Sequence, residues 1–192
     1  NFFGLKDINL SIKPVQNEIP IYLAAIGPKA LRSAGSTADG VILNAYVPAG
    51  YVKYAVKVIK DSAAKAGKNP NKIRIACMLV IRPTENPEDM YAKLRGRVVK
   101  LLQEPYIGEI LLEKGGFDPG ILTPLRKRLK HGALKEAQSL ISNEIVDSLY
   151  LVGPMSYCKE KIEEYVEAGV DQPLLLPYLN DFPVVAKLIN KY

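Results

Sequence analysis

Residues 19–44, IPIYLAAIGPKALRSAGSTADGVILN, contain a strand, a helix and a second strand in immediate succession. The first apolar run, residues 21–26, has no polar alternation, which predicts a parallel strand that helices cover rather than one half exposed to water. Gly27 ends the run, and Pro28 suits the first turn of a helix, where its missing N–H group would have no partner. The short crossover to a second apolar run at residues 41–43 predicts two adjacent parallel strands.

The rest of the chain also alternates strands with helices, which predicts an α/β fold built on a parallel sheet. Residues 87–142 are helical in pieces separated by glycines, and this segment is longer than a crossover needs. We therefore expect one domain, residues 1–192, with a helical insertion at 87–142. The four main strands are predicted near residues 21–26, 41–45, 73–81 and 172–178.

The composition is that of a globular protein, with 48% hydrophobic and 24% charged residues. No apolar stretch is long enough to span a bilayer, so a membrane partner is not expected. Cys77 lies in an apolar run and Cys158 on a predicted helix, which favours buried packing in a reducing compartment and predicts a cytoplasmic protein. The sequence has no metal-ligand spacing, and a metal site is not predicted.

The net charge of +6 suits an anionic partner, and the densest basic cluster lies at residues 126–131. Leu125, Leu129 and Leu134 occur around these charges at helical spacing, which favours a solvated helix face over a nucleic-acid site. No aromatic residues that could stack on bases are interspersed with the cluster. A nucleic-acid partner is therefore not predicted.

The Gly27-Pro28 turn is a candidate phosphate site, because the N–H groups at a helix start carry a partial positive charge. Gly27, Lys29 and Ala30 supply the donors, and Lys29 adds a cation that a bound anion would stabilise. A tight turn into a helix explains the same residues equally well, and physical arguments alone leave both interpretations open.

Polar residues follow other strands at the edge where parallel α/β proteins bind ligands. Asn44 is a candidate contact for a coenzyme ring or substrate, although capping of the next loop is slightly favoured. Arg82 is a candidate contact for an anionic tail, although a solvent-facing side chain is favoured. Asn180 and Asp181 follow the last strand, and Asp181 is expected to cap the closing helix. His131 lies far from the strand ends, so it is a poor candidate base, and no catalytic residue is predicted.

Two blocks of the chain carry a family resemblance, PIYLAAIGPKALRSAGSTADGVILN at 20–44 and LYLVGPMSYCKEKIEEYVEAGVDQPLLLPY at 149–178. Together they resemble the C-terminal half of the bacterial luciferase-like monooxygenase superfamily. Within it they are most similar to the coenzyme F420-dependent, methylenetetrahydromethanopterin reductase-like branch.

The resemblance implies a (β/α)8 TIM barrel, of which this chain supplies strands five to eight. It also implies an oxidoreductase that transfers hydride between coenzyme F420, which is a deazaflavin, and an organic substrate. An FMN-dependent monooxygenase that uses molecular oxygen is the alternative enzyme, and a non-catalytic half-barrel subunit is the alternative class. Family members contact the coenzyme at the loop after strand five, which here comprises Ala25, Ile26, Gly27, Pro28 and Lys29.

Four strands cannot close an eight-stranded barrel, and an open half would expose two sheet edges and an apolar face. The absent initiator methionine favours a missing N-terminal half. Pairing of halves between chains is a second explanation, and a homo-oligomer is the expected assembly. A third is that residues 5–13 or 147–152 add a strand to an open sheet.

Overall fold

The computed structural model describes residues 4, 6, 12, 15–16, 18–178 and 182–189. Strands and helices alternate along this part of the chain. The strands are β1 (Tyr22–Ala25), β2 (Gly40–Leu43), β3 (Arg74–Pro83), β4 (Leu151–Gly153) and β5 (Gln172–Pro177). The helices are α1 (Pro28–Thr37), α2 (Ala49–Lys65), α3 (Pro87–Leu102), α4 (Ile107–Gly115), α5 (Leu122–Lys130), α6 (Leu134–Gln138), α7 (Asn143–Leu149), α8 (Met155–Glu167) and α9 (Phe182–Ile189).

All the strands pair in parallel, as predicted for an α/β fold. The four longer strands lie in the order β1-β2-β3-β5, with β2 against the first part of β3 and β5 on the opposite side of it. The short strand β4 pairs with Ile81–Pro83, beyond the end of β2. The segment 147–152, held open as an addition to the four main strands, is only in part a strand, since α7 runs to Leu149 and β4 begins at Leu151. Residues 5–13 fall almost entirely outside the described residues.

One face of the sheet is buried beneath helices and the other is open along its edges. The buried face, which we call the helix face, carries Ile75, Cys77, Leu79 and Ile81 of β3, each at most 2% exposed. The alternating residues form the open face. Its members include Tyr22 and Ala24 of β1, Ile42 of β2, Met78 and Val80 of β3, and Leu174 and Leu176 of β5.

The expectation that the first strand is covered by helices is wrong for the described chain. Leu23 is 39% exposed because, among the described strands, β1 lies at the edge and pairs only with β2. The last strand, β5, is also incompletely covered, since Leu174 and Leu176 are 42% and 41% exposed on the open face. A local apolar pattern indicates that a segment favours a buried strand. Whether that strand is buried depends on a second layer of structure packed over it.

Helices α3 to α7 connect β3 to β4. The apolar spacing over residues 125–141 resembles that of one helix, but two helices form there, since α5 ends at Lys130 and α6 begins at Leu134. Gly132 has a φ of +72°, a conformation that favours glycine and that a continuing helix does not contain. The assignment of residues 87–142 as an insertion within a single domain stays a prediction.

Two aspartates close the sheet at the amino ends of its strands in the same way. The Asp39 amide donates to the Ile21 carbonyl, and the Asp39 carboxylate accepts from the Ile21 amide at 2.9 Å. Asp171 forms the same two bonds with Ile75, at 2.8 Å each. The Ala-Asp-Gly and Val-Asp-Gln segments therefore perform one structural task, which is to join the start of a strand to its neighbour.

Both cysteines are fully buried and free, which agrees with the buried packing predicted for them. Among the described residues, no helix combines the length and apolar character that a membrane span requires.

Candidate functional site

The turn after β1 presents backbone donors at the carboxyl edge of the sheet. Gly27 is the N-cap of α1 and Pro28 its first residue, and the Leu31 amide donates to the Gly27 carbonyl at 2.9 Å. In the described chain no side chain caps this helix, so the amides of Lys29 and Ala30 face outward from its first turn. A Cβ added at Gly27 would meet no atom within 4 Å, which leaves room beside the turn for a ligand.

A buried tyrosine that the sequence analysis missed holds this turn in place. The Tyr51 hydroxyl donates to the Ile26 carbonyl, directly before Gly27. Tyr51 is 0% exposed, and burial is the main reason that its pKa lies well above the ordinary value. Its aromatic ring belongs to the apolar stripe of α2, so in the sequence the hydroxyl group was the only sign of a polar partner.

Ala25 lies on the helix face and is 6% exposed, so only its backbone is available to a ligand. Ile26 is half-buried, whereas Pro28 and Lys29 are exposed. The pairing of Ala25 with Leu43 places the next residues, Ile26 and Asn44, at adjoining strand ends.

Asn44 is exposed, and its Oδ1 accepts from the Ala45 amide at 2.9 Å. This local bond agrees with the loop-capping interpretation. The loop that follows is held by a second buried tyrosine, since the Tyr165 hydroxyl donates to the Val47 carbonyl at 2.7 Å. Tyr46 within the loop has a φ of +64°, which is rare for a residue other than glycine.

A second Gly-Pro turn follows β4. Pro154 is the N-cap of α8, and its carbonyl accepts from the Cys158 amide at 3.0 Å. A cleft of about 390 Å³ beside this turn contains the Asp147 carboxylate, which accepts hydrogen bonds from Tyr91 at 3.0 Å and from Tyr157. Burial and the Asp147 charge raise the pKa of both tyrosines, so they remain protonated donors at neutral pH.

The other sequence candidates have structural partners or lie elsewhere. Arg82 is half-buried, so the expectation of a solvent-facing side chain is wrong, because β4 and β5 both pack beside the end of β3. Asn180 and the predicted cap Asp181 lie outside the described residues. Arg126 of the basic cluster forms an ion pair with Glu109 and donates to the Gln103 carbonyl at 3.1 Å, which joins α5 to α4 and to the end of α3. His131 is the residue that follows α5 and is not at the end of a strand.

Comparison with known proteins identifies the family. Residues 1–172 match the model of the luciferase-like monooxygenase family. The chain therefore belongs to that family, which confirms the resemblance seen in the sequence.

The curated relatives include 5,10-methylenetetrahydromethanopterin reductases. The one from Methanolobus tindarius is 28% identical over 156 residues, which cover 81% of this chain and 47% of that protein. The one from Methanopyrus kandleri is 28% identical over 172 residues, covering 88% of this chain and again 47% of the relative. The chain thus spans about half the length of the curated relatives it matches.

Solved structures share the fold. The coenzyme F420-dependent tetrahydromethanopterin reductase of Methanopyrus kandleri has a TM-score of 0.70 at 23% identity, with 90% of this chain and 49% of that chain covered. The oxygenating constituent of 3,6-diketocamphane monooxygenase from Pseudomonas putida, in complex with FMN, has a TM-score of 0.54 at 16% identity, covering 81% and 41%. The parallel α/β architecture is therefore that of luciferase-like proteins.

Proposed function

We propose that the chain forms part of a coenzyme F420-dependent oxidoreductase that transfers hydride between the deazaflavin and an organic substrate. The observation that carries this proposal is the uncapped Gly27 turn at the carboxyl edge of the sheet. The reductases also support this proposal, because most of this chain is similar to about half of each of them. When bound, the deazaflavin supplies the hydride chemistry, and the protein binds and orients it.

The donor set at the turn fits the phosphate of such a coenzyme. The amides of Lys29 and Ala30 and the Lys29 ammonium are suited to a phosphate, because a helix N-terminus favours an anion and a cation adds to the attraction. Ala25 and Ile26 then contribute backbone, and the Asn44 amide lies at the adjoining strand end. The Tyr51 hydroxyl keeps the Ile26 carbonyl turned into the protein, which fixes the direction of the turn.

We further propose that the sheet is one half of an eight-stranded barrel. The strands β1-β2-β3-β5 form four consecutive parallel strands, and β1 and β5 are the edges of the sheet in the part of the chain that the structure describes. Four more parallel strands would cover the open face, supplied by a further segment of the protein or by another chain. We expect the acid–base residues on that other half, so we assign no catalytic residue to this chain.

A flavin enzyme is the second candidate, because a luciferase-like structure with the same fold is described in complex with FMN. The same turn would take the FMN phosphate, with molecular oxygen as co-substrate. A half-barrel subunit that lacks catalysis remains the competing class, and a cytoplasmic location remains a prediction.

The test is a titration of the purified chain with coenzyme F420 and with FMN, followed by absorbance and fluorescence. It is done alone and with a co-expressed N-terminal half taken from a relative of full length. Gly27→Val should weaken binding of the preferred coenzyme by tenfold or more, because the side chain fills the room beside the donors. Ala64→Val, at an exposed position in the last turn of α2 and far from the carboxyl edge, is the control. No binding of either coenzyme by the completed protein would exclude the proposed function.

A further inference from the structure

A cleft lined by tyrosines and cations lies apart from the Gly27 turn. It has a volume of about 440 Å³ and is lined by Tyr46, Arg97, Lys100, Leu101 and Tyr150. The rings of Tyr46 and Tyr150 pack with their centroids 5.0 Å apart. The guanidinium carbon of Arg97 lies 5.2 Å from the ring centroid of Tyr178, within the range of a cation–π contact. We call this the tyrosine–arginine cleft.

The cleft belongs to the carboxyl edge of the sheet. Tyr46 lies in the loop after β2, and Tyr178 directly follows β5. Tyr150 directly precedes β4, which begins opposite Ile81 and thus beyond the end of β2, so Tyr150 also lies on the carboxyl side of β2. Arg97 and Lys100 lie three residues apart on α3, and so they share one helix face. Residues far apart in the sequence thus converge at the edge where open α/β proteins bind ligands.

The two cations are available to an anion. Both are exposed, and neither forms an ion pair within the part of the chain that the structure describes. The Arg97 side chain is instead positioned over an aromatic ring, a contact that leaves its N–H groups free to bind phosphate or carboxylate.

The aromatic wall is held in a costly geometry. Tyr46 has a φ of +64°, a conformation disfavoured for a bulky side chain, and its neighbour Val47 is fixed by the Tyr165 hydroxyl. Tyr150, only 3% exposed, supports the Tyr46 ring from behind. Such conformations persist where the surrounding structure enforces them, and they cluster at ligand sites.

We propose that the tyrosine–arginine cleft binds the phosphate or carboxylate of a ligand with a planar ring, the Tyr46 ring contacting the planar part. The proposal rests on the proposed function, because it places a second anion contact of the bound molecules at the same edge of the sheet as the Gly27 turn. The anion belongs either to the coenzyme or to the organic substrate, and the two sources are separable by experiment.

The test compares the wild-type chain, the double variant Arg97→Gln/Lys100→Gln and the control Lys93→Gln, which removes an exposed charge from the same helix. Each protein, alone and with the co-expressed N-terminal half, is titrated with two pairs of probes. Coenzyme F420 is compared with its phosphate-free deazaflavin core, and folic acid, a planar ring with a carboxylate tail, is compared with pterin. Circular dichroism and urea unfolding check that the variants fold equally.

We expect the double variant to bind the anionic member of one pair about tenfold more weakly, because two charge-assisted contacts at an exposed site are lost. The double variant should bind the member that lacks the phosphate or carboxylate as tightly as the wild type does. The control variant should bind all the probes as the wild type does. A loss confined to coenzyme F420 assigns the anion to the coenzyme, and one confined to folic acid assigns it to the substrate.

Equal affinities of wild type and double variant for both anionic probes, or no binding of folic acid and coenzyme F420 by the wild type, would overturn the proposal. Failure of the proposed function has a different signature. In that case coenzyme F420 and FMN do not bind, while folic acid binds the wild type and depends on Arg97 and Lys100.

Discussion

Single hydroxyl groups determine the geometry of the candidate site at the residue scale. Tyr51 and Tyr165 are both buried, and each donates to a backbone carbonyl in a loop after a strand, Ile26 and Val47 respectively. Backbone groups that bind ligands have no side-chain rotamer to adjust, so their direction depends on such contacts.

Tyr51→Phe tests this positioning role. The variant removes the hydrogen bond and keeps the ring, so we expect a loss of about 1 kcal/mol in the free energy of unfolding. We also expect coenzyme binding to weaken several-fold, because the Gly27 turn is no longer fixed. Urea unfolding and coenzyme titration measure the two effects. Tyr106→Phe, at a side chain 86% exposed, should change neither. An unchanged coenzyme affinity in Tyr51→Phe would contradict the role.

The buried thiols predict a pH dependence. Burial raises the pKa of Cys77 from 9.0 to about 12 and that of Cys158 to about 11. Because the unfolded chain loses these protons first, stability should fall as the pH rises above 9 and continue to fall to about 11 to 12. Urea unfolding between pH 8 and 11 measures the slope. Cys77→Ala/Cys158→Ala should be less stable at pH 8 but show a shallower decline, and an equal decline would exclude the thiols as its source.

At the element scale, the same pair of aspartate hydrogen bonds joins neighbouring strands in two places. In two places the aspartate before a strand bonds to both backbone groups of a residue at the start of a neighbouring strand. The two copies differ in burial, because Ile75 is fully buried and Ile21 is 62% exposed. A buried amide that loses its acceptor costs more than one that water can reach.

Asp171→Ala should therefore destabilise the protein by about 1–3 kcal/mol, and Asp39→Ala by clearly less. Asp171→Asn keeps an acceptor oxygen and should recover most of the loss. The Arg74 ion pair, at 3.5 Å and well exposed, contributes little to this difference. Urea unfolding of the three variants makes the comparison, and equal losses for both alanine variants would disprove the burial argument.

At the scale of the whole molecule, the main feature is a sheet whose open face is incompletely covered. The open face carries the exposed Leu174 and Leu176 on β5, whereas Val80 in the central strand is 3% exposed. Exposed apolar surface and unpaired parallel edges favour association. A second copy of this chain has the same two edges, so two copies together would contain eight longer strands.

Leu176→Ser tests the open face. We expect the isolated chain to associate in sedimentation and to bind a hydrophobic dye, and the variant to do both less. Leu134→Ser is the matched control, because Leu134 on α6 is also 41% exposed but lies outside the sheet. A monomeric chain without dye binding, or equal effects of the two variants, would show that the open face does not drive association. Addition of the N-terminal half should suppress both signals if that half covers the face.

The candidate turn was predictable because its signals are local. Gly27 and Pro28 lie side by side, and their conformational limits predict the start of α1 without knowledge of the rest of the chain. Tyr51 was not predictable as its partner, because a tyrosine in an apolar stripe looks like any core aromatic until the fold brings its hydroxyl to Ile26.

The sequence by itself determined the parallel α/β class, the course of most elements and the family, since these follow from local periodicity and from residues that stand in order along the chain. Only the tertiary structure decided that β5 lies beside β3, that one face of the sheet is open, and that Arg97 approaches Tyr178. Those facts depend on contacts between residues far apart in the chain, and local side-chain preferences do not encode which distant surfaces meet.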